Sequence, residues 1–420
     1  MLSQSAETLT GLQGNLFWTS ATRIGYALLM RTLTSAVIFL MISGCGGGGG
    51  SSTPPAVQTT TPEPEPVWEY TSPEDLSDGW HVSNLAAEDL QRSSITELMT
   101  SIVDKDLGID GVAIARNGRL VLDELVRTEL AANDADAGNS DIDLHAVYSI
   151  TKSFNATVVG IAVDQSLFST DDEILSLFSQ YDPVDNFDTR KQTITVKNFL
   201  TMRHGLDWDE LTLPYGDPNN SLSIAVENRT DYVKCLLDLP MIAAPDTTFS
   251  YSTHVSLALG ALVEQESETD YQTYTNQNLL EPLQITNYLW NELTPAGRTP
   301  AGSGLFLTTR DMTKLGQLYL DSGMWNGTRL VSESWISASS SQQVSLSSGQ
   351  YLDGYGYQLW TYDPAGLEAF AAVGFGGQYV IVIPEKNLVV TFTSNNYASE
   401  DAISLPLNLL VEYIVPALDS

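Results

Sequence analysis

Hydrophobic positions recur with a strand-like period at both ends of the folded region. The segment GVAIARNGRLVLDEL, residues 111–125, has two β-rich runs on either side of Asn117-Gly118, which is the strongest short-range signal for a β-hairpin. Strand-like runs return near the C-terminus as GYGYQLWTY, EAFAAVGFG, QYVIVIPE and NLVVTFTSN. The pattern predicts one antiparallel sheet built from N-terminal and C-terminal segments.

A helical period dominates between these strands. From Ser149 to Leu167 apolar residues recur at spacings of three and four, with further apolar positions between them, which predicts a largely buried helix. Residues 170–345 contain further helical patterns, including VKNFLTMRHGL, VSLALGALVEQE and TRDMTKLGQLYLDSG. We therefore predict an α/β fold of the α+β type, in which helices flank the sheet and a mostly helical subdomain is inserted.

The N-terminal segment has the pattern of a secretion signal. In MRTLTSAVIFLMISGC, Met30 to Cys45, an arginine precedes an apolar run and small residues precede a cysteine. The run from Ala36 to Ile42 is too short for the roughly 20 residues of a membrane-spanning helix. We predict a signal peptide over residues 1–44, with Met30 as a credible start.

The four residues Ile42-Ser43-Gly44-Cys45 resemble the lipobox of bacterial lipoproteins. The resemblance implies cleavage before Cys45 and lipidation of its sulfur; the alternative is an ordinary secretory signal with an incidental cysteine. Glycine at position 46 implies the outer membrane by the sorting rule of that class. The predicted location is the bacterial cell envelope, as an outer-membrane lipoprotein facing the periplasm or the cell surface, with membrane contact through the lipid only.

The chain after Cys45 is unsuited to a folded core. Five glycines pass into SSTPPAVQTTTPEPEPV, which predicts a flexible and then semi-extended tether. We assign residues 45–85 to the lipidated cysteine and its tether, and residues 86–420 to the folded domain.

Charge and composition exclude several classes of function. Removal of residues 1–44 takes away two arginines and one glutamate and leaves a net charge of −34, against −33 for the whole chain. So acidic a chain repels nucleic acid, and none is predicted as a partner. Gly-x-Ser-x-Gly is absent, the four histidines have no zinc spacing, and no cofactor or metal is predicted.

A serine and a lysine stand three residues apart in HAVYSITKSF, residues 145–154. On a helix such residues lie about 5–6 Å apart on one face, so Ser149 Oγ and the Lys152 amine can meet. A serine hydroxyl needs a base, and burial lowers the pKa of a lysine enough to make it one. Ser-x-x-Lys is a weak motif alone, but only Lys152 among seven lysines has serine three residues before it.

Two further stretches carry candidate chemistry. Tyr251, in FSYST, precedes an apolar helix and offers a phenol that can share a proton with the serine and the lysine. The stretch GFGGQ leads into a predicted strand, and its glycines Gly376 and Gly377 let a backbone come close to a ligand and present amides to an oxyanion.

SITK, YST and GFGGQ, in this order, resemble the three motifs of the serine β-lactamase and penicillin-recognising superfamily, in particular its class C-like members, esterases and 6-aminohexanoate-dimer hydrolases. Further similar stretches, such as NFLTMRHGLDWDE and VGFGGQYVIVIPE, extend the resemblance over roughly residues 90–415. The resemblance implies that Ser149 is the acylated nucleophile and that Lys152 and Tyr251 transfer its proton. It also implies an oxyanion hole formed by the backbone amides of Ser149 and Gln378, with substrate contacts from Thr253, Phe375, Gly376 and Gly377.

Two departures bear on the substrate. Thr253 replaces the usual asparagine of Tyr-x-Asn, and Phe375 replaces a lysine or histidine that helps to hold a substrate carboxylate. We therefore predict a serine hydrolase of small carboxylic esters or amides, whose partner is such a small molecule. The alternatives are a β-lactamase or D-amino-acid peptidase and, in another class, an inactive lipoprotein that binds peptidoglycan fragments.

Three other features receive structural interpretations. We expect His204 to close a helix before Gly205, and His254 to be structural or solvated. The acidic stretch Asp207-Trp208-Asp209-Glu210 is expected to be a solvated loop.

Overall fold

A nine-stranded sheet forms the centre of the computed structural model, which describes residues 68–136, 138–215, 217–227, 231–291, 297–346, 352–399 and 401–418. The strands are β1 (His81–Val82), β2 (Ile109–Arg116), β3 (Arg119–Leu125), β4 (His145–Ala146), β5 (Leu289–Trp290), β6 (Leu305–Leu307), β7 (Met324–Trp325), β8 (Thr328–Arg329), β9 (Val344–Ser345), β10 (Gly354–Tyr355), β11 (Trp360–Tyr362), β12 (Ala369–Gly374), β13 (Gln378–Ile383) and β14 (Leu388–Ser394). The predicted signal peptide, Cys45 and the tether up to residue 67 lie outside the described residues.

Most of the described helices lie between β4 and β9, as the sequence predicts. The α-helices are α1 (Arg92–Asp104), α2 (Ala132–Asp136), α3 (Ile150–Asp164), α4 (Ile174–Leu177), α5 (Val196–Leu200), α6 (Ser221–Glu227), α7 (Tyr232–Asp238), α8 (Thr253–Ser267), α9 (Tyr271–Thr275), α10 (Thr309–Leu320), α11 (Glu333–Ser340) and α12 (Ser404–Leu409). None of the helices in the described part of the chain is long and apolar enough to cross a membrane.

The strand order in the large sheet is β1-β3-β2-β14-β13-β12-β11-β10-β9, and every pair is antiparallel except β1 with β3. The hairpin predicted at Asn117-Gly118 is confirmed: both residues have positive φ, 51° and 75°, as the turn between β2 and β3 requires. Pairing of β2 with β14 joins the two ends of the domain. These pairings confirm the predicted sheet and fold class.

One predicted strand is divided in two. GYGYQLWTY forms β10 and β11, because the chain reverses between them through a turn in which the Gly356 amide donates to the Leu359 carbonyl. Gln358 has φ 55° in this turn.

The sheet separates two apolar layers, and alternate side chains of its strands enter different layers. In β2, Val112 and Ile114 pack with α1 and the C-terminal helical segment, whereas Ala113 and Ala115 belong to the larger core that contains α3, α8 and α10. Burial on both faces explains why these strands read as nearly continuous apolar runs.

Residues 68–85 are part of the domain, so the domain boundary predicted at residue 86 lies too late. Trp80 and Leu85 are buried, and the Tyr70 hydroxyl donates to the Val121 carbonyl at 2.8 Å. Asp78 forms an ion pair of 2.7 Å with Arg310 of α10. The apolar residues here are too sparse to show a period, so the sequence pattern does not reveal this packing.

A small second sheet fixes the chain immediately before α3. Strand β4 pairs with β6, and β6 pairs with β5. The Val147 amide continues the pairing by donating to the Leu305 carbonyl at 3.0 Å. The helix predicted from Ser149 to Leu167 is observed as α3, from Ile150 to Asp164, and it packs against α8.

Candidate active site

The turn between β4 and α3 presents Ser149 at the edge of the core. Tyr148 has φ 48°, a left-handed conformation that costs a residue with a bulky side chain on the order of 1 kcal/mol or more. Ser149 takes helical angles of φ −67° and ψ −9°, and its hydroxyl makes no capping bond to the helix. The hydroxyl is therefore left for other partners, and a capping role for Ser149 is not observed.

Lys152 meets Ser149 as the spacing predicts. The amine donates to Ser149 Oγ at 3.1 Å and to the Gly302 carbonyl at 2.8 Å, while the lysine is only 1% exposed. Burial lowers the pKa of Lys152 to about 8, and the negative charge of Glu210 opposes that effect. A lysine with this pKa is neutral in about one molecule in ten at pH 7, so it can accept the serine proton.

Tyr251 lies beside the same pair, two residues before α8. Its hydroxyl hydrogen-bonds with the Ser149 side chain, and the Lys152 amine lies 5.1 Å from the centre of its ring. Burial and the charge of Glu210 raise the pKa of Tyr251 well above its ordinary value. Tyr251 is therefore a phenol at neutral pH, suited to passing a proton on, while Lys152 is the stronger candidate for the resting base.

Buried polar bonds hold the first and second motifs together. Asn155 of α3 donates to the Ser256 carbonyl of α8 at 2.9 Å and accepts a hydrogen bond from the Tyr271 hydroxyl. Gln358 joins the same two helices, because its carbonyl accepts from Ser153 and its side-chain oxygen from Ser256. These bonds fix the start of α3 against the start of α8.

The third motif is brought against the turn that carries Ser149 by a residue without a side chain. A Cβ on Gly374, the last residue of β12, would lie 2.4 Å from the Val147 carbonyl oxygen, so any other residue would push the strand away. Gln378 opens β13 opposite Gly374, and its side chain is held by both the amide and the carbonyl of Ser394. Val147 precedes Ser149 by two residues, so the predicted oxyanion-hole segments are neighbours.

Phe375, between these two strands, lies among aromatic rings. Its ring centre is 5.6 Å from Tyr148, 6.3 Å from Tyr215 and 5.7 Å from Tyr397. Gly376 follows with φ 83°, and a Cβ there would meet the Tyr397 ring at 2.4 Å. Phe375, where the resemblance led us to expect a lysine or histidine, is therefore part of an aromatic wall.

Thr253 begins α8, and its side chain faces Glu210. The Thr253 hydroxyl donates to Glu210 Oε1 at 2.8 Å, and its amide donates to Oε2 at 2.7 Å. The residue is 4% exposed, so its hydroxyl serves the protein interior in this structure. Its predicted contact with substrate stays a prediction.

The prediction of a solvated loop is wrong for two of its four residues. Asp207 and Asp209 are exposed, but Trp208 and Glu210 are buried, and the indole of Trp208 donates to Glu210 at 3.0 Å. The stretch DWDE gives no sign of a buried carboxylate, because three of the four donors to Glu210 come from Tyr215 and Thr253, further along the chain.

The histidines have structural surroundings. His254 is buried against Trp208 and bonds the Tyr232 carbonyl, as a structural role predicts. His204 does not close a helix, since α5 ends at Leu200; instead its ring accepts from the Leu206 amide at 3.1 Å and contacts the Ser250 carbonyl at 3.1 Å. Burial lowers the pKa of both to about 4, so they are neutral at pH 7.

Comparisons with known proteins identify a relative by sequence and several by fold. An uncharacterised protein of Alkalihalophilus pseudofirmus, BpOF4_21049, is 25% identical over 312 residues, covering 70% of this chain and 85% of the relative. A protein provisionally assigned as a 6-aminohexanoate-dimer hydrolase from Bacillus anthracis superposes with a TM-score of 0.61 at 16% identity, covering 75% of this chain and 82% of the other. EstCE1, a hydrolase with promiscuous acyltransferase activity, also gives 0.61 at 16% identity, with coverage of 78% and 99%.

These structural likenesses show a shared fold. The sequence model of the Beta-lactamase family matches residues 94–412, which include all three motifs and the strands from β2 to β14. The chain therefore belongs to the Beta-lactamase family.

Proposed function

We propose that this protein is a serine hydrolase that forms an acyl-enzyme at Ser149 and hydrolyses small, uncharged carboxylic esters or amides. The observation that carries the proposal is the contact of 3.1 Å between the Ser149 hydroxyl and the amine of a buried lysine whose pKa is lowered to about 8. Such a pair activates a hydroxyl that is otherwise a poor nucleophile.

The reaction begins with attack of Ser149 Oγ on the substrate carbonyl carbon. The hydroxyl proton passes to the Lys152 amine, with the Tyr251 phenol beside both groups. Negative charge on the former carbonyl oxygen is stabilised by the amides of Ser149 and Gln378; one such donor is typically worth about 10²–10³ in rate. The bond to the leaving alcohol or amine then breaks, and the leaving group takes the proton from Tyr251 or Lys152.

Water completes the cycle on the same groups. It attacks the acyl ester while Lys152 takes its proton, and the tetrahedral intermediate collapses to release the carboxylic acid. The proton returns to Ser149 Oγ, which restores the starting state.

The aromatic surroundings of Phe375 support an uncharged substrate. Rings of Tyr148, Tyr215 and Tyr397 have their centres within 6.3 Å of the Phe375 ring centre, and none of these four side chains can pair with a carboxylate as an ammonium does. This favours neutral esters and amides over penicillins or D-alanyl termini. The similarity to EstCE1 and to a 6-aminohexanoate-dimer hydrolase is consistent with ester or amide substrates.

The first experiment is labelling of residues 68–420 with a fluorophosphonate, followed by intact-mass spectrometry and peptide mapping. Parallel assays measure turnover of p-nitrophenyl butyrate and nitrocefin by the same preparation and by Ser149→Ala. We expect one adduct on Ser149 and ester turnover that the variant lacks. An unlabelled, inactive wild-type protein would refute the proposal and favour a binding lipoprotein.

The location is proposed on sequence grounds. The segment before Cys45 supports export and lipidation, so the domain would act in the cell envelope while attached through residues 45–67. In full-length protein expressed in a Gram-negative host, Cys45→Ser should move the protein from the membrane fraction to the soluble fraction or leave it uncleaved. Unchanged fractionation and mass would contradict lipidation.

A further inference from the structure

Glu210 is a buried carboxylate next to the proposed catalytic groups. It lies in the loop between α5 and α6 and is 1% exposed. Its Oε2 accepts from the Thr253 amide at 2.7 Å and from the Trp208 indole at 3.0 Å, while Oε1 accepts from the hydroxyls of Thr253 at 2.8 Å and Tyr215 at 3.3 Å. Four donors on two oxygens form the arrangement that a buried carboxylate needs.

These bonds join parts of the site that are distant in sequence. Thr253 is the first residue of α8 and follows Tyr251 by two positions, so the carboxylate is bound at the N-terminus of a helix of 15 residues. Tyr215 reaches in the other direction, with its ring centre 6.3 Å from that of Phe375. One side chain thus connects the second motif with the wall formed at the third.

The same carboxylate acts electrostatically on the catalytic groups. Its charge raises the pKa of Lys152 against the effect of burial, and it also raises the pKa values of Tyr251, Tyr215 and Tyr355, which face it. Burial raises the pKa of Glu210 itself, whereas Lys152 and the donors on Thr253 and Trp208 lower it. The charge therefore favours the ammonium form of Lys152, which is the form left after it takes the serine proton.

We infer that Glu210 is a positioning residue of this active site, which sets Tyr251 and the Phe375 wall relative to Ser149 through its bonds to Thr253 and Tyr215. Its charge also stabilises protonated Lys152 during acylation. The inference rests on the proposed function, since it assigns Glu210 a part in acylation of Ser149. A capping carboxylate that only stabilises α8 is the competing explanation.

The test compares Glu210→Gln with Asp207→Asn, an exposed acidic residue three positions earlier in the same loop. We measure kcat/KM for p-nitrophenyl butyrate from pH 5 to 10, together with the rate of fluorophosphonate labelling. In Glu210→Gln we expect kcat/KM to fall about tenfold or more at its optimum. Its acid limb should move down by roughly one pH unit, because the lysine loses a neighbouring anion. Asp207→Asn should match the wild type in both measurements.

Two further variants separate position from charge and remain informative if Glu210→Gln does not fold. Thr253→Val removes one hydroxyl donor and Tyr215→Phe removes the other, and both leave the carboxylate in place. Both should lower kcat/KM while the acid limb stays at its wild-type pH.

Several results would overturn the inference. One is a Glu210→Gln protein with a lowered melting temperature but a wild-type acid limb and a wild-type rate per labelled Ser149. Another is a pair of Thr253→Val and Tyr215→Phe proteins that keep wild-type kcat/KM. Failure of the proposed function itself is recognised separately, because wild-type protein would then acquire no adduct on Ser149.

Discussion

The Lys152 amine donates to the Gly302 carbonyl at 2.8 Å as well as to Ser149 Oγ. Gly302 is itself fixed, since a Cβ on it would lie 2.9 Å from the carbonyl oxygen of Thr253 at the start of α8. The amine is therefore aimed at the serine by a backbone acceptor that also contacts the second motif. A carbonyl partner orients the lysine in either charge state, which suits a residue that takes and returns a proton.

The first prediction concerns the pH dependence of acylation. Because the pKa of Lys152 is lowered to about 8 and its neutral form is the proposed base, kcat/KM should rise with pH and level off above about pH 8. The measurement is kcat/KM for p-nitrophenyl butyrate, with the rate constant for fluorophosphonate labelling measured in the same buffers. Both should share one acid limb. A limb near pH 4 would instead point to His204 or His254.

Removal of the lysine amine should abolish turnover. Lys152→Met keeps most of the buried volume, and we expect kcat/KM to fall by about 10³-fold or more, because the Tyr251 phenol that also contacts Ser149 has a raised pKa and keeps its own proton at neutral pH. Lys191→Met is the matched control, since Lys191 is also buried and its amine donates only to main-chain carbonyls, those of Asp185 and Leu237, among the described residues. The control should lose stability but keep its rate per labelled serine. Near-normal turnover by Lys152→Met would place the base elsewhere.

Ser149→Ala should lose turnover and keep its fold. The hydroxyl makes no capping bond to α3, so the usual penalty of about 0.5–2 kcal/mol for a lost N-cap does not apply. Urea unfolding should give a free energy of unfolding within about 0.5 kcal/mol of the wild type. A larger loss would show that the Ser149 contacts are needed for folding, and residual turnover would contradict the assigned nucleophile.

Phe375→Lys should shift the balance between substrates. The new ammonium would lie beside the rings of Tyr148 and Tyr397 and could pair with a substrate carboxylate. We expect the ratio of kcat/KM for nitrocefin to that for p-nitrophenyl butyrate to rise about tenfold or more. Phe375→Met serves as the control for lost aromatic packing. An equal ratio in both variants would show that the carboxylate contact is not what discriminates.

Much of the scaffold could be predicted because its signals are local. The Asn117-Gly118 turn, the apolar runs of β12, β13 and β14 and the apolar positions of α3 each depend on neighbours in sequence. The same holds for Ser149 and Lys152, whose contact follows from helical spacing alone. Each of these features can be recognised within a window of about fifteen residues.

The features that the sequence did not predict depend on contacts between distant segments. Glu210 reads as part of a solvated loop because three of its four donors belong to Tyr215 and Thr253, which the sequence does not bring near it. Residues 68–85 read as tether because a few apolar side chains, such as Trp80, meet a surface that exists only after the sheet has formed. Folding creates both environments, and no local period reports them.

A second buried acidic group allows a prediction about stability. Asp110 of β2 accepts from Asn395 at 2.7 Å through Oδ1, while its Oδ2 has no hydrogen-bond partner among the described residues and lies 3.7 Å from both Arg127 and His145. Burial raises the pKa of Asp110 to about 6, although the charge of Arg127 lowers it. The folded state thus holds a proton on this group that the unfolded chain has already released near pH 4.

Asp110→Asn should therefore stabilise the protein above pH 6 and have little effect near pH 4. The raised pKa means that the contribution of Asp110 to stability is complete below about pH 4 and is lost as pH rises through about 6. The asparagine keeps an acceptor for Asn395 and removes a buried charge. We expect the free energy of unfolding in urea to rise by about 1–2 kcal/mol at pH 8.

Asp134→Asn is the contrasting variant, because Asp134 accepts from Arg127 at 2.7 Å and from the Ala146 amide at 3.3 Å. Loss of the Asp134 carboxylate should destabilise the protein at pH 8, since the buried guanidinium of Arg127 loses its closest carboxylate. If Asp110→Asn were instead as destabilising at pH 8 as Asp134→Asn, then Asp110 would be an ionised partner of Arg127 throughout this range. In that case the charge of Arg127, 3.7 Å away, would stabilise Asp110 Oδ2. The two variants would then have the same free energy of unfolding at every pH.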